Sequence, residues 1–161
     1  MQYEPDEPRV YFNLGLIYAR RNDWDAAIEH YRRSVHLVPN MAQGHNNLAL
    51  VYKETGRLGE ALAHFRRAIE VKPDYAIAHK NIGLMLSVRG ELGAAAQHLS
   101  TAARLQPDDK NAHFAAGTAL RAIGQWQEAV QSYQRAVAIE PGFAGAAFNI
   151  GRLLEDKRAR Q

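Results

Sequence analysis

Four prolines, Pro39, Pro73, Pro107 and Pro141, stand 34 residues apart. A fixed step of that length constrains the fold more than any bulk property. Each repeat must be one supersecondary element that buries its apolar face on its neighbours. Other positions keep the step. Ala27, Ala61, Ala95 and Ala129 are each followed four residues on by a large side chain, Tyr31, Phe65, Leu99 and Tyr133. A second small position follows at Ser34, Ala68, Ala102 and Ala136. In the first half of each repeat, Leu14-Gly15 is matched by Leu48-Ala49, Ile82-Gly83, Ala116-Gly117 and Ile150-Gly151. Three residues beyond each small residue come Tyr18, Tyr52, Leu86, Leu120 and Leu154.

This spacing predicts two antiparallel helices per repeat. Tyr11, Leu14, Gly15 and Tyr18 fall on one helical face. Small residues on that face let helices approach closely, and large ones fill the gaps around them. Ala27, Tyr31 and Ser34 do the same on the second helix. Asn22, Gly56, Gly90 and Gly124 keep the 34-residue step inside the hairpin. All four suit the left-handed conformation that ends a helix. The prolines close the second helices, and Asn40, Asp74 and Asp108 after them are expected to cap the next first helix, with Gly142 the weak member of the set.

The pattern Tyr11, Leu14, Gly15, Tyr18, Ala27, Tyr31, Pro39 resembles the tetratricopeptide repeat, which reads W-x₂-L-G-x₂-Y, then A-x₃-F, then P. The resemblance covers about residues 8 to 156. It departs from the pattern at the first position, where His45, His79, His113 and Ala147 stand for tryptophan. It implies an all-α, right-handed α-solenoid of four hairpins plus a C-terminal capping helix. The repeats are read as residues 8–41, 42–75, 76–109 and 110–143, the capping helix as 144–157, with a polar tail at 1–7 and a basic tail at 158–161. No comparable cap precedes the first helix, so the N-terminal face is expected either to continue an array or to meet another molecule.

Charge and composition narrow the function. The 161 residues carry a net charge of +3 with no run of five like charges, which does not favour nucleic-acid binding. There is no cysteine, so disulfides, thiolate metal sites and cysteine nucleophiles are excluded. No apolar run approaches the roughly 20 residues that cross a bilayer. Met1 to Glu7 offers no apolar stretch for a secretory leader, which favours the cytoplasm without fixing the compartment.

The resemblance implies a non-catalytic scaffold that binds a protein or peptide in a concave groove lined by first helices. Carried from the family onto the repeat register, the resemblance places in that groove Phe12, Asn13 and Arg20 from the first repeat, and Asn46, Asn47 and Lys53 from the second. The third supplies Lys80 and Asn81, the fourth Phe114 and Arg121, and the last helix Phe148 and Asn149. Asn13, Asn47 and Asn81 are 34 apart, Ala115 interrupts the row, and Asn149 resumes it. Amides both donate and accept, so such a row can hold a peptide backbone whatever its side chains. The row is similar to the asparagine ladder of O-linked N-acetylglucosamine transferases, which makes a substrate-recruiting fragment of a glycosyltransferase one alternative. The other reading of these amides is that they bond neighbouring helices or water. Phe12, Phe114 and Phe148 are expected to anchor a partner or to pack half-buried. The carboxylate clamp of chaperone-binding relatives is absent, since Leu16, Leu50 and Leu84 stand where its first asparagine is required. Self-assembly through the N-terminal face is a further alternative.

Nothing points to catalysis, a cofactor or a metal. His45, His79 and His113 recur at one repeat position, on the order of 10 Å apart by helix packing. That is too far for shared coordination at about 2 Å. His30, His36 and His98 on second helices lack the i, i+4 metal pairing. The pair Asp108-Asp109 reads as a helix start.

Overall fold

The computed structural model describes residues 7–158, with side chains described to residue 155. Residues 1–6 of the polar tail and 159–161 of the basic tail lie outside the described residues. Among the described residues the chain is all α-helical: α1 (Pro8–Arg20), α2 (Trp24–Leu37), α3 (Ala42–Glu54), α4 (Leu58–Val71), α5 (Ala76–Val88), α6 (Leu92–Leu105), α7 (Lys110–Ala122), α8 (Trp126–Ile139) and α9 (Ala144–Arg158). It divides into two compact units, Met1–Asp74 and Tyr75–Gln161. Within the first unit α1 packs on α2, α2 on α3 and α3 on α4. Within the second, α5 to α8 pack in the same sequential way and α9 packs on α8.

The hairpin turns follow from four residues. Asn22, Gly56, Gly90 and Gly124 have φ of 59°, 74°, 79° and 79°. Each turn closes with two backbone bonds. The amide after the left-handed residue donates to the carbonyl of Tyr18, Tyr52, Leu86 or Leu120, and the left-handed residue donates three positions back, at 2.8 to 3.1 Å throughout. This pair of bonds satisfies the carbonyls that a helix end would otherwise orphan.

The links between hairpins differ from expectation. Asn40, Asp74 and Asp108 are not N-caps; Met41, Tyr75 and Asp109 hold that position. The cause is the preceding proline. In the first and third links Met41 and Asp109 donate to the carbonyls of Val38 and Gln106, three residues back. Proline and the Asn or Asp after it thus form the centre of a β-turn, a use of both residue types that competes with capping. Phe143 bonds Glu140 in the same way, so Gly142 fits this turn as well. Asn40 instead accepts from Arg67 at 3.1 Å. Only Asp109 caps with its side chain among these three, taking the amides of Asn111 and Ala112.

Inside each hairpin a small residue on the first helix receives a large one from the second, 16 positions later. A Cβ added at Gly15, Gly83 or Gly117 would lie 2.6, 2.5 and 2.8 Å from Tyr31, Leu99 and Tyr133. In the second hairpin Ala49 and Phe65, both fully buried, occupy the same pair of positions. Around these large residues sit fully or nearly fully buried alanines: Ala27, Ala61 and Ala68 in the first unit, Ala95, Ala102, Ala129 and Ala136 in the second. Ser34 occupies the one polar place in that series, and its hydroxyl donates to the Pro8 carbonyl at 2.9 Å.

Candidate binding site

In the first unit the predicted contact residues divide by environment. Asn13 and Arg20 are exposed, and Lys53 pairs with Glu54 at 3.2 Å. Phe12 is half-buried, its ring 5.8 Å from that of Tyr31. Asn46 is buried; its amide donates to Asn47 at 3.3 Å, while its own Oδ1 meets no partner. Asn47 is half-buried and hydrogen-bonds the Tyr31 hydroxyl of the preceding hairpin. Burial raises the Tyr31 pKa above the usual 10.0, against the opposing pull of that bond and of the Arg20 charge. Asn47 therefore stitches α3 to α2 as well as facing outward.

The second unit sorts in the same way. Asn81 is half-buried, and Lys80 is bound to Asp109 at 2.5 Å. Burial would raise the Asp109 carboxyl, but the Lys80 ammonium and the amides of Ala112 and Asn111 outweigh it and hold it below the usual carboxylate value. Phe114 is half-buried between Tyr133 and Phe143, with ring separations of 5.6 and 5.1 Å. Arg121 keeps its Nε buried without a partner. Phe148 on α9 is 65% exposed beneath the Arg152 guanidinium, and Asn149 beside it is half-buried.

A family model described as TPR repeat matches residues 15–56 and 117–157, more than half of the chain. A second, described as Tetratricopeptide repeat, matches 46–110. The chain belongs to the tetratricopeptide repeat family. Solved TPR-type structures agree on the fold. MamA superposes with a TM-score of 0.84 at 24% identity, over 95% of this chain and 84% of that one. YrrB, described as a TPR protein with an unusual peptide-binding site, superposes at 0.87 with 22% identity, over 98% and 81%. PilF of Pseudomonas aeruginosa gives 0.77 at 21%, over 94% and 69%. No curated protein matches by sequence. The fold is thus an all-α helical-repeat solenoid, and TPR repeats of this kind are typically non-catalytic protein-interaction scaffolds. Among the described residues no helix is long and apolar enough to cross a membrane, and no three His, Asp or Glu side chains gather as a metal site.

The TPR register also explains the histidines. His64 lies on α4, outside the first-helix position at which His45, His79 and His113 recur. It pairs with His45, Nδ1 to Nδ1, at 3.0 Å, and His79 pairs with His98 at the same distance. Both pairs join a first helix to its own second helix, 19 residues on. Tyr11 and His30 stack across the same 19-residue step, with centroids 6.1 Å apart. That recurrence was the available signal. His45 Nε2 also lies 2.9 Å from the Pro39 carbonyl, and His113 Nε2 lies 3.0 Å from that of Pro107. A carbonyl only accepts, so His45 carries its proton on Nε2 and offers the Nδ1 lone pair to an Nδ1–H of His64. The histidine that replaces tryptophan in this family thus ties a first helix to the proline turn before it.

This arrangement predicts a pH dependence. Burial lowers the His45 pKa from 6.5, more than the Pro39 bond restores it, and burial lowers that of His64, with the His45 charge adding to the shift. Between the lowered folded value and 6.5 the unfolded chain binds more protons. The stabilisation is therefore complete above pH 6.5 and is lost as pH falls below it. Urea unfolding followed from pH 7.5 to 5 is expected to show stability dropping by up to about 1.4 kcal/mol per pH unit for each proton taken up. His64→Gln should flatten the curve; an identical slope in wild type and variant would count against the pair.

Proposed function

We propose that the first-helix face of each unit binds an extended or helical peptide from a protein partner. The observation that carries this reading is that Asn13, Arg20 and Phe148 stand in solvent while the hairpin interior is closed by interlocked side chains. Asn13 and Arg20 are exposed in the first unit, and Phe148 is 65% exposed in the second. A large exposed aromatic beside an amide suits a partner side chain, with the amide for its backbone. The peptide-binding description of YrrB supports the same reading, since the fold is shared. Asn47 and Asn81 belong to the proposed contact set, as do Lys53, Lys80, Phe114 and Arg121, although several of these also hold the scaffold together. The reading assigns the chain no catalytic, cofactor or metal site.

The test begins with partner capture from the source-cell extract, followed by titration of the captured partner. Asn13→Ala combined with Phe148→Ala is expected to weaken binding at least about tenfold, the equivalent of about 1.4 kcal/mol, with an unchanged melting temperature. Asn47→Ala combined with Asn81→Ala should weaken it further, with some loss of stability because Asn47 also holds Tyr31. If all four substitutions leave affinity intact, binding lies elsewhere on the molecule.

A further inference from the structure

Helix α5, in the second unit, departs from the repeat around it. Its Ile77, Leu84 and Val88 are 40%, 45% and 88% exposed. Spacings of seven and four residues put all three on one line of a helix. The other first-type helices are polar or small at the same register. Arg9, Gln43, Asn111 and Gly145 stand where Ile77 does, and Arg20, Glu54 and Ala122 where Val88 does. Asn81 lies between Ile77 and Leu84 on the same face and is half-buried. Polar groups at the flanks are already engaged. The Ser87 hydroxyl donates to the Gly83 carbonyl at 2.9 Å, and Lys80 is paired with Asp109.

Single apolar residues are ordinary on a protein surface, but a line of three is not. Together they offer on the order of 300 Å² of apolar surface, the scale at which a patch on a monomer is commonly functional. A stable complex of two folded domains buries roughly 800 Å² on each side, so the stripe fits an occupant smaller than a second copy of this chain. It runs about 16 Å along the helix axis, at a rise of about 1.5 Å per residue. An extended segment laid along it would press a row of backbone N–H and C=O groups against apolar side chains, with the Asn81 amide as the stripe's own polar group to meet them. A helix arrives with its backbone already bonded. Its side chains at i, i+4, i+7 and i+11 form a ridge of matching length.

We infer that α5 is the docking line for an amphipathic helix of a partner protein, one whose apolar residues recur at i, i+4, i+7 and i+11. This rests on the first-helix-face reading above and narrows the occupant at α5 from a peptide of either form to a helix. Ile77, Leu84 and Val88 take the apolar ridge, and the Asn81 amide meets a polar side chain at its margin.

The probe is a fluorescein-labelled peptide, Ala-Glu-Leu-Ala-Lys-Lys-Leu-Ala-Glu-Leu-Ala-Glu-Lys-Leu-Ala-Lys, followed by anisotropy at about 0.15 M salt, where charge attraction is screened. Two counterparts share its charge. One has proline in place of the central alanine, which breaks the helix. The other has the same residues reordered so that the leucines scatter round the helix. The wild type is expected to bind the parent at least about tenfold more tightly than either, with a gain in peptide helicity in the circular dichroism difference spectrum. Leu84→Gln with Val88→Gln should weaken that binding at least about tenfold at an unchanged melting temperature, and Val88→Gln alone several-fold. Leu58→Gln, at an exposed leucine of α4, should leave it unchanged. Equal binding of the proline peptide, full retention by the α5 double variant, or no binding of the parent at about 1 mM would overturn the assignment. The captured partner separates the two readings. Loss of its binding on Asn13→Ala with Phe148→Ala, but not on Leu84→Gln with Val88→Gln, would leave the first-helix face standing and overturn the helix on α5.

Discussion

Replacing Phe65 with alanine is expected to destabilise the first unit by about 3–5 kcal/mol, the usual cost of deleting a fully buried aromatic ring. Phe65 is 0% exposed and fills the large position of the second hairpin. The upper end of that range is expected because the site has little means to collapse. Ala49, Ala61 and Ala68 are all 0% exposed, and none has side-chain atoms that could swing into the void. A loss of that size is a large share of the 5–15 kcal/mol that holds an ordinary domain together. Each repeat contacts its sequence neighbours, so the damage should begin locally. Hydrogen exchange should report lost protection first in α3 and α4, with urea unfolding supplying the magnitude. A loss below about 1 kcal/mol would mean that the ring is not the keystone of its hairpin.

How far this chain could be read from its letters depended on what each residue must do. The hairpins were legible because their demands repeat. Gly56, Gly90 and Gly124 announce a left-handed turn that few other residues accept, and Asn22 takes the same conformation. Gly15 with Tyr31 and Gly117 with Tyr133 announce a close approach. The caps were misjudged by one position, because Pro39-Asn40 is also a turn sequence and the turn won. The site was less legible for a different reason. Register places Asn47, Phe12 and Phe114 on the first-helix face, but it does not tell how far a second-helix side chain reaches across. Tyr31 reaches far enough to bond Asn47 and to pack on Phe12, and Tyr133 packs on Phe114. Lys80 is taken up by Asp109, 29 residues away, which no local pattern announces. The histidine pairs escaped because their partners sit on different helices; they become visible only when the 19-residue step is checked in successive repeats.

The same repeat position should respond in opposite senses at two places in the second unit. Gly117 and Gly151 are 34 residues apart and lie at the same point of a first-type helix. At Gly117 an added Cβ would come within 2.8 Å of Tyr133 Cε1 and 3.1 Å of the Ala129 carbonyl oxygen. The tyrosine has nowhere to go, since it is 0% exposed and its hydroxyl bonds Thr118 at 3.2 Å. Overpacking of this kind typically costs about 1–3 kcal/mol, and a four-carbon side chain at so close a contact belongs at or above the top of that range. At Gly151 in α9, nothing among the described residues stands within 4 Å of an added Cβ. Leucine there meets no obstacle and removes a helix-interior glycine, a gain of up to about 1 kcal/mol. Gly117→Leu should therefore lower the denaturation midpoint sharply while Gly151→Leu leaves it unchanged or raises it. Two variants of similar stability would show that the small residue is not retained for the close approach of the second helix. A split of about 3 kcal/mol or more would tie the 34-residue pattern to that contact, because repeat position and residue exchanged are matched while the crowding by Tyr133 and the Ala129 carbonyl is present at Gly117 alone.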